Sequence, residues 1–534
     1  LWWPKGYGAP HLYDVEFCFE TDGKVTDKTS FKSGVRQMTY SEETYKPSGG
    51  MSVGSFGQSE PQRLSLFING RRFIGFGGNW GFGESNLNYR EREYDIAVAY
   101  HADMNFTMIR NWVGQIGDKE FYEACDRHGI MVWQDFWLAN PVDGPNPYYT
   151  EMFNANACDY LKRIRNHPSI GIYVGRNEGN PPAGIDDYLR GLVFREHPGL
   201  YYISNSAMGV VSGGGPYRAL SPKSYFQSYG HDKFHSERGM PNVMNYESML
   251  LTFGTDKIEP VNTSETPNPV YGLHDYTLGG GKGSSAQAAS SFNDMIEKAF
   301  GRPRDAKQFA EWAQWINYDG YRAIFEGRSE HRRGMLLWMS HSAWPSMVWQ
   351  TYDYYFDPNA AYFGCKKASE PLHIQWNPLR DDIEVVNYHA FDRTGLTATA
   401  SLFNQDGTLQ WTRETKLDIK EDQTVACFPL EQPETLSDTY FIKLSLTDSD
   451  GKQLSDNFYW RGKEDGNYKS LLQLPKVSVC KNVTVKKTGK EWLIRAVLKN
   501  EARTPALMLR LKVAGEKSGR MLLPCLLYTS DAAD

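Results

Sequence analysis

Residues 169–179, SIGIYVGRNEG, decide the fold of this chain. Their first half is rich in β-branched apolar residues, which predicts a short strand buried on both faces, as in parallel sheets. The strand leads directly into Glu178, then a glycine. A carboxylate at the C-terminal end of such a strand lies where a (β/α)8 barrel keeps its active site. A helix-capping or ion-paired glutamate fits this stretch equally well, so both interpretations stay open here.

A second strand of the same kind also ends in a carboxylate. Residues 233–239 read KFHSERG, so that Phe234 and His235 precede Glu237. Strands of one barrel share a rim at their C-terminal ends, which predicts that Glu178 and Glu237 lie on the same rim. Glycoside hydrolysis needs such a pair, because one carboxyl protonates the leaving oxygen while the other attacks the anomeric carbon or activates water.

The motifs RNEG at 176–179 and HSERG at 235–239 resemble the acid/base and nucleophile motifs of glycoside hydrolase family 2. Within that family, the sequence looks most like the β-mannosidase and exo-β-glucosaminidase branches. The resemblance extends from Leu1 to about Asn500. It also includes WQDF (133–136), GPY (215–217), YRAIFEG (321–327) and the segment HSAWPSMVWQTYDYYFDPNAAYFGCKKASEPLH (341–373).

This resemblance implies a retaining, exo-acting β-glycosidase without cofactor or metal. Its substrates would be oligosaccharides with terminal non-reducing β-D-mannosyl or β-D-glucosaminyl residues. Glu178 is then the general acid/base, with a raised pKa, and Glu237 the nucleophile, which should stay ionised. Double displacement through a glycosyl–Glu237 intermediate requires the two carboxyls to be about 5 Å apart.

The resemblance also implies a set of substrate contacts around the pair. Asn177 corresponds to the asparagine that binds the 2-substituent of the sugar, although simple turn chemistry also explains an asparagine there. Arg110 has a second interpretation, as the cation that keeps Glu178 or Glu237 ionised. Trp349 and Tyr352 are expected to pack at the base of the barrel. The predicted contacts are Asn177, Arg110, Trp112, Asp135, Tyr217, Trp338 and Trp344; for Asp135 and Tyr217 a purely structural role is the alternative.

Two departures from the family pattern bear on the substrate. Exo-glucosaminidases usually alter the asparagine–glutamate pair that is intact here as Asn177 and Glu178, whereas the segment 341–373 favours that branch. Arg238 stands where mannosidases commonly have an aromatic residue, and is either a ligand for an acidic sugar or part of a salt bridge at the rim. The alternatives are a non-catalytic carbohydrate-binding protein that uses its tryptophans, or a β-galactosidase or β-glucuronidase type of member.

The patterning along the chain predicts four domains. Period-two alternation predicts the C-terminal part of an immunoglobulin-like β-sandwich at 1–62, and alternating strands and helices predict a TIM-barrel domain at 63–378. A second immunoglobulin-like sandwich is expected at 379–474 and an incomplete one, with an atypical tail, at 475–534. We expect both ends to be truncated and the last ten or so residues to be foreign to the gene.

Eight barrel strands can be located within 63–378. The sixth is poorly marked, and residues 225–227 are the best candidate for it. The expected strands lie at 72–80, 107–112, 130–135, 169–175, 201–204, 225–227, 234–237 and 334–340.

Bulk properties exclude several functions. A net charge of −6, a pI of about 6.1 and the lack of a basic tract argue against nucleic-acid binding. No apolar stretch is long enough to span a membrane. The seven cysteines form no CxxC pair, which argues against a zinc site. Two motif matches are interpreted as loops: GMSVG at 50–54 lacks the context of a nucleophile elbow, and GGGKGSS at 279–285 lacks Walker spacing.

Overall fold

We describe the chain from a computed structural model. It describes residues 1–44, 62–227, 233–263, 266, 268–274, 284–489, 491–514 and 521–522. The GMSVG match, most of the GGGKGSS loop and the C-terminal tail therefore lie outside the described residues.

The N-terminal part is antiparallel. β1 (Tyr13–Thr21) and β2 (Lys24–Ser33) form a hairpin, and β3 (Met38–Thr44), β4 (Gln62–Ile68) and β5 (Arg71–Phe73) form a three-stranded sheet. β4 and β5 turn at Asn69 and Gly70, which both have positive φ, as a tight two-residue hairpin requires. This sheet leads into the barrel.

The barrel alternates strands and helices. Buried residues occupy every position of its central strands, as expected for parallel strands covered on both faces. In chain order the elements are β6 (Gly75–Trp80), α1 (Glu91–Asp103), β7 (Met108–Asn111), α2 (Lys119–His128), β8 (Met131–Asp135), α3 (Thr150–Ile164), β9 (Ile170–Arg176), α4 (Ala183–Glu196), β10 (Tyr202–Asn205), β11 (Val211–Ser212), α5 (Pro222–Gln227), β12 (Phe234–Arg238), α6 (Tyr246–Phe253), α7 (Pro269–His274), α8 (Ser284–Phe300), α9 (Ala306–Glu326) and β13 (Gly334–Leu337).

Strand pairing confirms the predicted α/β barrel. Within the described residues the order is β10-β9-β8-β7-β6-β13-β12-β11, and all neighbours are parallel. Because β13 pairs with β6, the last strand of the barrel lies beside the first. This is the circular order of a (β/α)8 barrel, with the ladder interrupted between β10 and β11.

The sixth strand was predicted in the wrong place. It is β11, only two residues long, and residues 225–227 belong to the helix α5 instead. A two-residue strand carries no periodicity that a sequence pattern can reveal. The physical reason for the error is therefore the shortness of the strand.

A β-sandwich follows the barrel and confirms the predicted immunoglobulin-like architecture. β14, β15 and β18 form one antiparallel sheet, β17, β16, β19 and β20 form the other, and their apolar faces share one core. β14 pairs with β15, so this sheet begins before residue 379; the division into four domains stays a prediction. The elements are α10 (Ala360–Ala368), β14 (Leu372–Asn377), β15 (Asp382–Asn387), β16 (Arg393–Asn404), β17 (Leu409–Ile419), β18 (Gln423–Pro429), β19 (Thr439–Thr447), β20 (Gln453–Gly462), β21 (Val479–Thr488), β22 (Glu491–Asn500), β23 (Val513–Ala514) and β24 (Met521–Leu522).

The N-terminal segment fills one end of the barrel. Trp2, Leu64 and Ile68 are fully buried in one cluster with Trp133 and Phe234, which come from barrel strands. The tryptophan indole also donates to the Asp126 carbonyl at the end of α2. The opposite end, where the strands finish, is left for the polar residues described next.

No helix among the described residues is both long and apolar enough to cross a membrane. In the same part of the chain, His, Cys, Asp and Glu side chains form no group of three or more that could hold a metal ion.

Candidate active site

The predicted site residues gather at the C-terminal ends of the barrel strands. Arg110 lies in β7, Asp135 ends β8, Glu178 lies two residues after the end of β9 and Glu237 lies in β12. Glu178 has φ +47°, a left-handed conformation that is uncommon for a residue with a side chain, and its backbone N–H donates to Ser206 Oγ at 3.0 Å. Strained backbone of this kind concentrates at functional sites.

The Arg110 guanidinium connects the cluster. Its Nη1 donates to Glu237 Oε1 at 2.6 Å, and its Nη2 donates to Asp135 Oδ2 at 2.7 Å and to Asn177 Oδ1 at 2.8 Å. Nε adds two longer bonds to Asp135. Since the side chain is 0% exposed, every bond is made to protein. Arg110 therefore positions other site residues, and its charge lowers the pKa of Glu237 and of Glu178.

Asp135 is the hydrogen-bond acceptor that holds the Arg110 guanidinium. Its carboxylate also accepts Trp133 Nε1 at 2.9 Å and the Val113 backbone N–H at 3.0 Å, and the side chain is 0% exposed. Both carboxylate oxygens of Asp135 thus accept hydrogen bonds from buried donors, and this fixes the position of the Arg110 guanidinium.

Asn177 is oriented by two donors. Its Oδ1 accepts from Arg110 Nη2 and from Ser206 Oγ, the latter at 3.3 Å. Because these two hydrogen bonds fix the position of Oδ1, they also fix the direction in which the Asn177 Nδ2 group points. Ser206, which follows β10, thus holds both Asn177 and the backbone of Glu178.

Glu237 lies between two hydrogen-bond donors. Besides Arg110, Tyr217 donates its hydroxyl to Glu237 Oε2 at 2.6 Å. Burial raises the pKa of Glu237 to about 7, and Glu178 adds to that rise, while Arg110 and Tyr217 act in the opposite direction. The ionised form expected of a nucleophile is therefore opposed by burial and favoured by the two donors.

Glu178 has a different environment. It is half-buried, and Asn140 Nδ2 lies 3.4 Å from its Oε2. Burial raises its pKa above the ordinary value; Arg110 and Asn140 lower it, whereas Asp143 raises it. A raised pKa is what a general acid needs near neutral pH, as we predicted for this residue.

Aromatic rings form a wall beside the carboxyls. The rings of Trp112 and Trp338 meet edge to face with centroids 5.0 Å apart, and Trp338 also contacts Tyr217. The buried Nε1 of Trp112 has no hydrogen-bond partner among the described residues, so it is available as a donor. Trp344, in contrast, stacks on His274, 6.2 Å between centroids.

Two residues lie elsewhere than expected. Trp349 was expected at the base of the barrel, but its ring contacts Tyr217 at 5.7 Å and Trp338 at 6.0 Å. Arg238 is 1% exposed and lies over the ring of Tyr225 in α5. It therefore packs between β12 and α5, away from solvent.

Sequence analysis missed several supporting residues. Asn140 and Ser206 come from loops and carry no motif, so no local signal marks them. Trp133 and Asp135 are two residues apart on one strand and thus share a face, a relation that the period-two rule could have revealed.

The cluster combines the parts that an acid–nucleophile mechanism requires. One carboxyl, Glu237, is buried and held by a cation and a hydroxyl; the other, Glu178, is half-buried, and burial raises its pKa. Different environments for two carboxyls on one rim allow different roles.

The chain is similar to known glycosidases. A family model described as the exo-β-D-glucosaminidase Ig-fold domain matches residues 457–531. A mannosylglycoprotein endo-β-mannosidase of Lilium longiflorum is 29% identical over 88% of this chain and 53% of its own length. An exo-β-D-glucosaminidase of Streptomyces avermitilis is 27% identical over 86% and 51%. The chain thus spans about half the length of these relatives.

Solved structures show the same fold. The exo-chitosanase CsxA of Amycolatopsis orientalis has a TM-score of 0.82 at 24% identity, covering 98% of this chain and 65% of its own. A β-D-mannosidase of Dictyoglomus thermophilum has a TM-score of 0.75 at 21% identity, covering 93% and 61%. These solved structures show the fold, and the sequence relatives support the resemblance of the chain to the exo-β-glucosaminidase and β-mannosidase branch of glycoside hydrolase family 2.

Proposed function

We propose that the protein is a retaining β-glycosidase that removes terminal β-D-mannosyl or β-D-glucosaminyl residues from oligosaccharides. The observation that carries this proposal is the network in which one buried guanidinium, Arg110, holds Glu237, Asp135 and Asn177 beside Glu178. The names of the relatives, exo-β-glucosaminidases and β-mannosidases, support the substrate class.

In the proposed mechanism Glu237 attacks the anomeric carbon while Glu178 protonates the leaving oxygen. The resulting glycosyl–Glu237 ester is then hydrolysed by a water that Glu178 deprotonates, so that the configuration is retained. Arg110 and Tyr217 orient the attacking carboxylate. Asn177 is positioned to bind the 2-substituent, and Trp112 and Trp338 provide a face for the sugar ring.

The test is a hydrolysis panel with aryl β-mannoside, β-glucosaminide, β-galactoside, β-glucoside and β-glucuronide. We expect turnover of the mannoside or the glucosaminide, with a loss of at least about 10³-fold in Glu178→Gln and Glu237→Gln. A mannosylated glycoprotein glycan belongs in the panel, because the lily relative is an endo-enzyme by name. Release of an internal fragment from it would overturn the exo mode.

Trapping with a fluorinated glycoside separates an enzyme from a sugar-binding protein. A covalent adduct on Glu237, found by mass spectrometry of the peptide, supports double displacement. Sugar binding without adduct or turnover would instead support the non-catalytic alternative.

A further inference from the structure

A tight turn faces the carboxyl of Glu178. The Asn140 carbonyl accepts the N–H groups of Asp143 and Gly144, both at 3.1 Å, and Asn140 Oδ1 accepts those of Val142 and Asp143 at 2.9 and 2.8 Å. With its oxygens engaged, the Asn140 amide nitrogen donates to Asp143 Oδ2 at 2.5 Å and to Glu178 Oε2 at 3.4 Å. Asn140 thus connects the two carboxylates.

Arg176 holds this turn in place. It ends β9, two residues before Glu178, and is 3% exposed. Its Nε donates to the Ala139 carbonyl and its Nη1 to Asn146 Oδ1, both at 2.7 Å, with longer bonds to the carbonyls of Gly144 and Asn180. These acceptors are neutral oxygens, and most lie in the loop that follows β8. Burying a guanidinium among neutral oxygens is costly, so the arrangement points to a role in holding that loop.

We propose that the Asn140–Asp143 turn, held by Arg176, is a positioning element for Glu178 and acts on its carboxyl through the Asn140 amide. The three residues are positioning residues, since they act through Glu178. The inference rests on the proposed function in that Glu178 is the acid/base there.

The turn has two opposing effects on the pKa of Glu178. The charged and titratable groups that face the carboxyl are Arg110 from β7, Glu237 from β12, Tyr217 after β11 and Asp143 in the turn. Asn140 favours the ionised form, because it donates to it, and Asp143 favours the protonated form by charge repulsion. Asp143 is exposed, so solvent and salt weaken its effect.

The experiment compares Asp143→Asn with Asn140→Asp. Removing the Asp143 charge lowers the pKa of Glu178, so the basic limb of the pH profile of kcat/KM moves to lower pH, by about half a unit. Asn140→Asp keeps the oxygen that the turn needs but replaces the donor by a carboxylate, so the limb moves to higher pH. In roughly 1 M salt, where the Debye length is about 3 Å, the Asp143→Asn shift should disappear.

Two further variants sharpen the test. Asp159→Asn, an exposed aspartate on α3, is the matched control and should leave the limb unchanged. In an Arg176→Lys background, Asp143→Asn should no longer shift the limb, because the turn has lost its support. Variants that lose activity without any shift of the limb would overturn the proposal and leave the turn a merely structural role.

An independent readout separates this inference from the proposed function. The titration of Glu178 is measured by infrared difference spectroscopy of the protein against Glu178→Gln, which needs no turnover. Suppose that no glycoside is hydrolysed, but that the pKa of Glu178 read from its carboxyl band falls in Asp143→Asn and rises in Asn140→Asp. The proposed function then fails and the positioning role stands. An unchanged band in both overturns the positioning role.

Discussion

At the residue scale, the environment of Glu237 decides its protonation. Burial disfavours the carboxylate, while the Arg110 guanidinium and the Tyr217 hydroxyl each stabilise it by a hydrogen bond of 2.6 Å. A nucleophile must be ionised, so these donors determine the lowest pH at which the site can react.

We predict that Tyr217→Phe shifts the acidic limb of the kcat/KM profile to higher pH. Without the hydroxyl the pKa of Glu237 rises further above about 7, so a larger fraction is protonated at neutral pH. The sign follows because the reactive form is the one without the proton. Tyr202→Phe is the matched control, since it removes a hydroxyl that donates to Asp186 outside the site. An acidic limb that stays in place in Tyr217→Phe contradicts the assignment of Glu237 as the nucleophile.

At the scale of elements, the segment that follows β13 provides much of the aromatic wall. Trp338 and Trp349 both come from it, and Trp338 contacts Trp112, Tyr217 and Trp349. Trp344 comes from the same segment but stacks on His274 of α7. Tryptophans that are close in sequence thus pack against different residues.

We therefore predict that Trp338→Ala and Trp344→Ala differ in effect. Loss of the Trp338 face should lower kcat/KM at least about tenfold, which corresponds to about 1.4 kcal/mol, mostly through a higher KM. Trp344→Ala should change kcat/KM by less than about threefold. Melting temperatures of both variants report whether the segment is still folded. Equal losses of kcat/KM in the two variants would contradict the prediction that Trp338, and not Trp344, contacts the sugar.

At the scale of the whole molecule, buried charges join the barrel to the sandwich. Asp319 in α9 accepts Arg322 Nη2 at 2.7 Å, and it also pairs with Arg461 from β20 at 3.0 and 3.1 Å. Arg322 donates in turn to the Asn457 side chain and to the Phe458 carbonyl of the same strand. The barrel and the sandwich are thus connected through one carboxylate and two buried guanidinium groups.

Asp319→Ala should destabilise the protein by about 3–5 kcal/mol, because it removes the carboxylate that pairs with buried Arg461 and leaves buried Arg322 with Glu326 as its remaining carboxylate. Glu311→Ala is the control on the same helix; its exposed pair with Lys307 should contribute less than about 0.5 kcal/mol. Urea unfolding followed by tryptophan fluorescence measures both, since Trp460 lies at this interface. A small effect of Asp319→Ala would mean that water can solvate the two arginines.

The sequence by itself determined the barrel, the sandwich and the two carboxyls. The alternation of strands and helices within 63–378 could be predicted, because the periodicity of a helix or a strand is a local property of the sequence. Glu178 and Glu237 were found because each ends a strand of recognisable composition. Their roles stay predictions until the variants are measured.

Only the tertiary structure decided how the site is held together. The Arg110 network, the Ser206 support and the turn at Asn140 join segments from different strand ends, and hydrogen bonds between distant segments leave no pattern in a sequence. The same holds for the two-residue strand β11 and for the ring of Trp349. The physical reason is that periodicity reports which face of an element is buried, whereas partner and distance depend on how the elements pack.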